Sequence, residues 1–316
     1  MTSTASEPSI AERFPRLDST YAALLDAART SGAAPLQELT PAELRARIDA
    51  GDAYCLPGPD MLDVSDFDLG DGVTVRRYQP ERLLSDDILF WFHGGGWTTG
   101  GLGYSDGFCR MLADGLGCEV QSVDYRLAPE HPFPTAVEDV VAAVRAGAKE
   151  GSRVILAGDS AGGNLAAVAT QLLTRTRRES FTIGGQLLVY PVTDSDRTRT
   201  SYRRNDGVVL GVEAMGWFFD QYVPDEADRT SALFAPLRAE SLAGLPPAVV
   251  AVAGHDPLYD EGVAYAERLR EYRVPVDLID LESLPHGFLR FTAAVPAAAD
   301  AAGRIVAAAT ALIRRR

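Results

Sequence analysis

Residues 153–164 read RVILAGDSAGGN and join a short apolar run to a helical pattern. The run at 154–157 has the length and composition of a buried strand, and an amphipathic helix pattern begins at Asn164. Between them, residues 158–162 match G-x-S-x-G, in which small neighbours let a serine occupy a sharp strand-to-helix turn. The stretch therefore predicts an α/β unit with Ser160 at its turn as a candidate nucleophile.

A second stretch, residues 103–107 (GYSDG), matches the same pattern. It follows a glycine-rich loop, 98–103, in which no strand is indicated. We therefore assign Ser105 to the N-terminal turn of a helix and keep Ser160 as the candidate nucleophile.

On either side of this unit, short apolar runs alternate with helical patterns. A turn signal at Asp71-Gly72 predicts a hairpin over residues 66–78. Strands are predicted at 88–92, 120–123, 154–157, 186–190, 248–253 and 276–281, and helices at 106–116, 135–149, 164–176, 261–272 and 293–311. This alternation indicates an α/β fold, with helices on both faces of a mostly parallel sheet.

One connection, from residue 190 to residue 248, is too long for this rhythm. It contains an aromatic helix pattern at 212–222, which predicts either a lid or cap, or an extra helix that only packs on the core. Residues 1–50 hold a polar tail and amphipathic helices, with a helix start at Thr40-Pro41-Ala42-Glu43. We predict N-terminal cap helices over 1–50 and a catalytic domain over 51–316, with a cap insertion at about 193–245.

Composition narrows the class of protein further. The 316 residues carry a formal net charge of −14, which disfavours nucleic acid and anionic membranes as partners. The sequence pattern predicts neither a membrane-spanning segment nor a secretory signal. Three cysteines without close spacing disfavour a disulfide framework and a CxxC metal site and fit a reducing compartment, so we predict a cytoplasmic protein. No metal or organic cofactor is predicted.

Three consecutive glycines follow the strongest apolar strand, in residues 93–97 (HGGGW). Such a run lets backbone N–H groups approach a substrate oxygen without obstruction by a Cβ atom. We expect the N–H groups of Gly94, Gly95 and Ala161 to stabilise a negative oxygen, as in an oxyanion hole. A phosphate site is disfavoured because the nucleotide-binding spacings are missing, and His93 is expected to orient its loop rather than transfer protons.

Chain order indicates the base and the acid, because in an α/β-hydrolase a serine is followed by an acid and then by a histidine. His286 follows the strand at 276–281, at the sheet edge where the sites of open α/β folds lie, and is predicted as the base. Asp256 follows the strand at 248–253 and is predicted as the acid, with His255 as a local packing neighbour. Glu261 is expected only to open the next helix.

Taken together, five segments resemble the hormone-sensitive lipase family of carboxylesterases, an α/β-hydrolase group. The segments are HGGGW (93–97), DYRLAPEHPFP (124–134), GDSAGGN (158–164), DPLYDEG (256–262) and LPHGF (284–288). The resemblance implies a triad of Ser160, Asp256 and His286, and a cap that shapes the acyl and alcohol pockets. It also implies a preference for short- or medium-chain esters, and dimers in some members through the last strand and the last helix.

The sequence therefore predicts a serine ester hydrolase that acts on small molecules through an acyl-enzyme. Two alternatives stay open: an acyltransferase or biosynthetic deacetylase with the same triad, and a non-catalytic ligand receptor on the same fold. Trp97, Tyr190 and Trp217 are candidate pocket walls, although core packing explains them equally well.

Overall fold

An eight-stranded sheet runs through the computed structural model, which describes residues 8–176 and 179–314. Its strands are β1 (Asp63–Asp68), β2 (Thr74–Gln79), β3 (Ile88–Phe92), β4 (Glu119–Asp124), β5 (Arg153–Asp159), β6 (Thr182–Val189), β7 (Ala248–His255) and β8 (Val276–Pro285). Their order is β1-β2-β4-β3-β5-β6-β7-β8. All neighbours are parallel except the β1–β2 and β2–β4 pairs, which confirms both the mostly parallel sheet and the N-terminal hairpin.

Strand β3 shows why the central strands are apolar on every residue. All five of its residues are buried, because helices cover both faces of the sheet. Leu89 and Trp91 belong to the core on one face, whereas Phe90 and Phe92 belong to the core on the other. The two-residue period of a strand thus feeds two separate hydrophobic cores.

Ten α-helices lie in the described ranges of the chain. They are α1 (Ile10–Arg13), α2 (Ser19–Thr30), α3 (Pro41–Asp49), α4 (Asp106–Leu116), α5 (Thr135–Gly147), α6 (Ala161–Arg175), α7 (Thr200–Arg204), α8 (Val212–Tyr222), α9 (Tyr259–Glu271) and α10 (Pro296–Arg314). Helices α1, α2, α4 and α10 contribute to one core, and α5, α6, α8 and α9 to the other. Helices on both faces confirm the layered α/β architecture.

Two helix starts illustrate how local sequence sets these bounds. The predicted start of α3 is confirmed as a capping box, in which the Thr40 side chain accepts from the Glu43 N–H while the Glu43 carboxylate accepts from the Thr40 N–H. Helix α6 begins at Ala161, three residues before the predicted start, because the chain turns directly into the helix after Ser160.

The segment at 193–245 contains α7, α8 and two short 3-10 turns, Glu226–Thr230 and Pro236–Arg238. The predicted helix at 212–222 is confirmed as α8. The assignment of this segment and of residues 1–50 as a cap stays a prediction, and the first seven residues lie outside the described ranges.

Helix α10 bears on the expectation that no segment of the chain spans a membrane. By length and composition alone it is apolar enough to cross a membrane, although the sequence pattern predicted no such segment. Its buried residues include Ala298, Ala302 and Ile305, and the helix packs against α4 and the strands β6–β8. In this structure α10 thus covers one face of the sheet.

Candidate active site

Ser160 lies on a strained turn between β5 and α6. Its backbone has φ 55° and ψ −118°, a conformation that residues other than glycine rarely adopt. The turn is possible because the residues two positions before and after Ser160 are glycines, which lack a Cβ atom. A Cβ at Gly162 would collide with the Phe92 carbonyl oxygen, and a Cβ at Gly158 would collide with the Gly162 backbone. The strain presents the Ser160 hydroxyl at the carboxyl end of the sheet.

The His286 imidazole reaches this hydroxyl from the end of β8. Its Nε2 atom lies 2.9 Å from Ser160 Oγ, within hydrogen-bond distance. The ring is supported by Tyr190, whose ring centroid lies 4.8 Å away. The imidazole is thus placed to accept the hydroxyl proton.

Asp256 lies behind the imidazole, directly after β7, and has no exposed surface. Its Oδ2 atom is 2.7 Å from His286 Nδ1, and its Oδ1 atom accepts the N–H of Leu258 at 2.8 Å. The Asn205 amide fixes the backbone by donating to the Asp256 carbonyl oxygen. The three side chains singled out in the sequence therefore form one hydrogen-bonded row, although Ser160 and His286 are 126 residues apart.

In the glycine loop at 93–97, one of the N–H groups expected to face a substrate oxygen is bonded within the protein. The Gly94 N–H donates to Asp159 Oδ1 at 2.8 Å, so this group is engaged within the protein. No acceptor in the described part of the chain bonds the N–H groups of Gly95, Gly96 or Ala161. The expectation for Gly94 is therefore corrected: the open donors are those of Gly95, Gly96 and Ala161.

His93 is buried in this loop, apart from the Ser160–His286 pair. Its Nδ1 atom lies 2.7 Å from the Gly94 carbonyl oxygen, and its ring stacks on Tyr125 at a centroid distance of 4.3 Å. Burial lowers the pKa of His93 to about 4, so the ring is neutral at neutral pH. These contacts agree with an orienting role rather than proton transfer.

The three candidate pocket residues have different environments. Trp97 has no exposed surface and stacks on Tyr222 at a centroid distance of 4.6 Å, so it is a core residue rather than a wall. Tyr190 is also buried and packs against the imidazole. Trp217 is half-buried on α8, and the adjacent Phe218 lies so close to Gly96 that a Cβ on that glycine would collide with its ring.

Two other residues weighed in the sequence lie outside the row. Ser105 is the residue before α4, at the helix start predicted for it. His255 packs its ring edge-on against Phe14 at 6.0 Å, and burial lowers its pKa. Neither side chain takes part in the Asp256–His286–Ser160 arrangement.

Glu261 has a role that the sequence reasoning missed. It was expected only to open α9, but it has no exposed surface and accepts the N–H groups of Thr193 at 2.7 Å and Asp194 at 3.2 Å. Burial raises its pKa to about 8. Glu261 thus fixes the point at which the chain leaves the sheet for the segment at 193–245.

Comparison with known proteins agrees with this fold and geometry. A family model described as the alpha/beta hydrolase fold matches residues 89–290. Carboxylic ester hydrolase LipN of Mycobacterium tuberculosis is 42% identical over an alignment of 268 positions that covers 78% of this chain and 69% of LipN. Ethyl acetate hydrolase of Pseudomonas putida is 34% identical over an alignment of 287 positions that covers 85% of this chain and 90% of that protein.

Solved structures give the same result. An α/β-hydrolase enzyme from the metagenome of Lake Arreo has a TM-score of 0.86 and 35% identity, over 94% of this chain and 98% of that chain. A thermostable esterase from Pseudomonas putida has a TM-score of 0.83 and 30% identity, over 94% and 96%.

Sheet topology and the strained serine turn together define an α/β-hydrolase. Within that class, the chain belongs to the hormone-sensitive lipase family of carboxylesterases, and it is an ester hydrolase. The names of the relatives do not favour the acyltransferase and receptor alternatives.

Proposed function

We propose that the protein hydrolyses small carboxylic esters with short or medium acyl groups through an acyl-enzyme on Ser160. The observation that carries the proposal is the hydrogen-bonded row Asp256–His286–Ser160, with distances of 2.7 and 2.9 Å. Ethyl acetate hydrolase, a relative at 34% identity, supports the short-acyl preference by its name.

In the first half-reaction, His286 Nε2 takes the proton of Ser160 Oγ as that oxygen bonds to the ester carbonyl carbon. Buried Asp256 keeps the Nδ1 proton of the imidazole directed at itself and stabilises the imidazolium that forms. The imidazolium then protonates the alcohol oxygen as its bond to the carbonyl carbon breaks. In the second half-reaction, His286 takes a proton from a water molecule as the water oxygen bonds to the acyl carbon. The bond between the acyl carbon and Ser160 Oγ then breaks, Oγ regains the proton from the imidazolium, and the carboxylic acid leaves.

The negative oxygen of each tetrahedral intermediate requires hydrogen-bond donors that the protein does not already use. The N–H groups of Gly95, Gly96 and Ala161 meet this condition in the described part of the chain. They lie on the loop after β3 and on the first residue of α6, on either side of Ser160. Each such donor contributes about 3 kcal/mol to transition-state stabilisation.

The two serines of the G-x-S-x-G pattern provide a matched test. Ser160→Ala should lower kcat for a p-nitrophenyl ester by about 10⁴-fold or more. Ser105→Ala removes the serine of the second pattern and should leave kcat within about threefold of the unsubstituted value, because Ser105 is not part of the hydrogen-bonded row. A fluorophosphonate should label the unsubstituted protein and Ser105→Ala but not Ser160→Ala. Normal turnover by Ser160→Ala would refute the assignment of the nucleophile.

We further propose that the segments 1–50 and 193–245 act as the cap over this site. Two contacts support this: Phe218 of α8 lies against Gly96, and the Asp18 N–H before α2 donates to the Ser283 carbonyl oxygen three residues before His286. A panel of p-nitrophenyl esters from acetate to decanoate, assayed with Phe218→Ala, tests this. The smaller side chain should shift the preferred acyl chain to greater length, and an unchanged profile would contradict the cap role of α8.

A homodimer through β8 and α10 is also proposed. In support, β8 is the last strand in the sheet order, and its outer edge has no strand partner within residues 8–176 and 179–314. Light scattering at micromolar concentration should give twice the chain mass, and a monomer mass would contradict the proposal. The cytoplasmic location stays a prediction from the sequence.

A further inference from the structure

Asp159, the last residue of β5, is a buried carboxylate beside the nucleophile that the mechanism above does not use. It precedes Ser160 directly and is 1% exposed. Its Oδ1 atom accepts the Gly94 N–H at 2.8 Å, and its Oδ2 atom is 3.4 Å from the Tyr190 hydroxyl, which donates to it. One side chain therefore contacts the glycine loop and the tyrosine that supports the imidazole.

The contact with the glycine loop is close as well as polar. A Cβ at Gly94 would collide with Asp159 Oδ2, so the loop backbone lies directly on the carboxylate. Gly94 is followed immediately by Gly95 and Gly96, whose N–H groups are the proposed oxyanion donors. Because Gly94 directly precedes these donors in the chain, a hydrogen bond that anchors its N–H restricts how far the donor-bearing loop can move.

The carboxylate lies in a mixed electrostatic environment. Burial raises the pKa of Asp159 to about 6, while the Gly94 N–H and the charges of His286 and Arg290 act in the opposite direction. Arg290 donates to the carbonyl oxygens of Tyr104 and Ile48. Besides burial, the charge of Asp159 also raises the pKa values of Tyr125, Tyr190 and Cys109.

Asp159 and Arg290 line a small cavity together with Tyr104 and Ser105, and its volume is about 20 Å³. That volume admits one water molecule. Of the two hydrogen bonds described for the Asp159 carboxylate, the one from the Gly94 N–H at 2.8 Å is shorter than the one from the Tyr190 hydroxyl at 3.4 Å.

We propose that Asp159 is a positioning residue, whose ionised carboxylate holds the glycine loop against the nucleophile turn and so keeps the oxyanion donors aligned. This inference rests on the proposed function of Ser160. A hydrogen bond to an ionised acceptor is roughly twice as strong as one between neutral groups. Protonation of Asp159 on acidification therefore weakens the hold on the loop, and kcat falls.

Two substitutions at this position separate its two functions, and a third serves as control. Asp159→Asn keeps an oxygen acceptor for the Gly94 N–H but removes the charge, whereas Asp159→Ala removes the acceptor. Asp139→Asn changes another buried carboxylate, which lies on α5, binds Arg126 and does not contact the glycine loop. For each variant, kcat and KM for p-nitrophenyl acetate are measured between about pH 5 and pH 8, with the rate of fluorophosphonate labelling.

We expect Asp159→Ala to lower kcat by about 10²-fold with KM changed by less than about threefold, since displaced donors affect the transition state more than substrate binding. Asp159→Asn should retain kcat within about tenfold near pH 8 and lose the part of the acidic fall in kcat that depends on Asp159. Asp139→Asn should keep the acidic profile of the unsubstituted protein.

Two results would overturn the inference. One is an Asp159→Ala variant with kcat and a pH profile like those of Asp139→Asn. The other is an Asp159→Asn variant whose acidic profile equals that of the unsubstituted protein. Failure of the proposed function looks different, because the unsubstituted protein would then not be labelled at Ser160.

Discussion

Replacing Glu261 by glutamine should remove a pH-dependent loss of stability. The side chain has no exposed surface, and no cation forms an ion pair with it within residues 8–176 and 179–314. The nearby arginines Arg199 and Arg238 both bind Asp194 instead, at 2.6 Å. Its own contacts are the two N–H groups of the 193–194 backbone and the Tyr202 hydroxyl at 3.4 Å. Burial therefore dominates and favours the neutral carboxyl.

The magnitude follows from the raised pKa of Glu261. The value is about 8 in the folded protein against 4.5 for an ordinary glutamate. Well below pH 4.5 both states are protonated and the group has no effect on the free energy of unfolding. Above it the unfolded chain releases the proton first, so stability falls by about 1.4 kcal/mol per pH unit until the folded group ionises near pH 8. The full loss is about 5 kcal/mol, of which about 3 kcal/mol falls between pH 5 and pH 7.5.

Urea unfolding at several pH values measures this effect. Glu261→Gln keeps an oxygen acceptor for the two N–H groups and has no proton to release. The free energy of unfolding of this variant minus that of the unsubstituted protein should therefore increase by about 3 kcal/mol between pH 5 and pH 7.5. Glu267→Gln, which removes an exposed carboxylate from the same helix, is the control and should leave the pH slope unchanged. If Glu261→Gln shows the same slope as that control, the argument from burial is refuted.

Three further substitutions test the packing around the site. Trp97→Ala removes a fully buried ring stacked on Tyr222 and should lower the free energy of unfolding by about 4 kcal/mol. KM should stay nearly unchanged. A large rise in KM with normal stability would instead identify Trp97 as a pocket wall. Gly162→Ala places a Cβ against the Phe92 carbonyl and should cost about 3 kcal/mol and slow fluorophosphonate labelling; normal stability and labelling would contradict the tight turn. Arg45→Met removes hydrogen bonds from α3 to two loop carbonyls and should lower stability by about 2 kcal/mol, detected by urea unfolding, whereas no change would show that these bonds contribute nothing net.

Much of the fold could be predicted because its signals are local. The hairpin around Asp71-Gly72 and the capping box of α3 each depend on residues close in the chain, and both are confirmed. The candidate residues Ser160, Asp256 and His286 were likewise found from motifs and from chain order, which place each one directly after a strand. The structure brings their side chains into contact, while their catalytic roles stay proposals.

The residues that the sequence reasoning misjudged are those defined by distant contacts. Gly94 looked like an oxyanion donor because it belongs to a glycine run, but its N–H is bound by Asp159, 65 residues away. Glu261 looked like an ordinary carboxylate at a helix start, but it bonds a backbone 68 residues away. For Trp97 the sequence left a pocket wall and core packing equally open, and the structure places its ring in the aromatic core.

By itself, the sequence determined the alternation of strands and helices, the family resemblance and the positions at which reactive side chains follow strands. These features depend on residue type and on spacing between residues that lie close together in the sequence. Only the tertiary structure decided which N–H groups remain open, which carboxylates are buried and which aromatic rings are core. Those properties depend on strand register and on the packing of segments far apart in sequence, because burial and hydrogen bonding belong to the assembled surfaces rather than to any one segment.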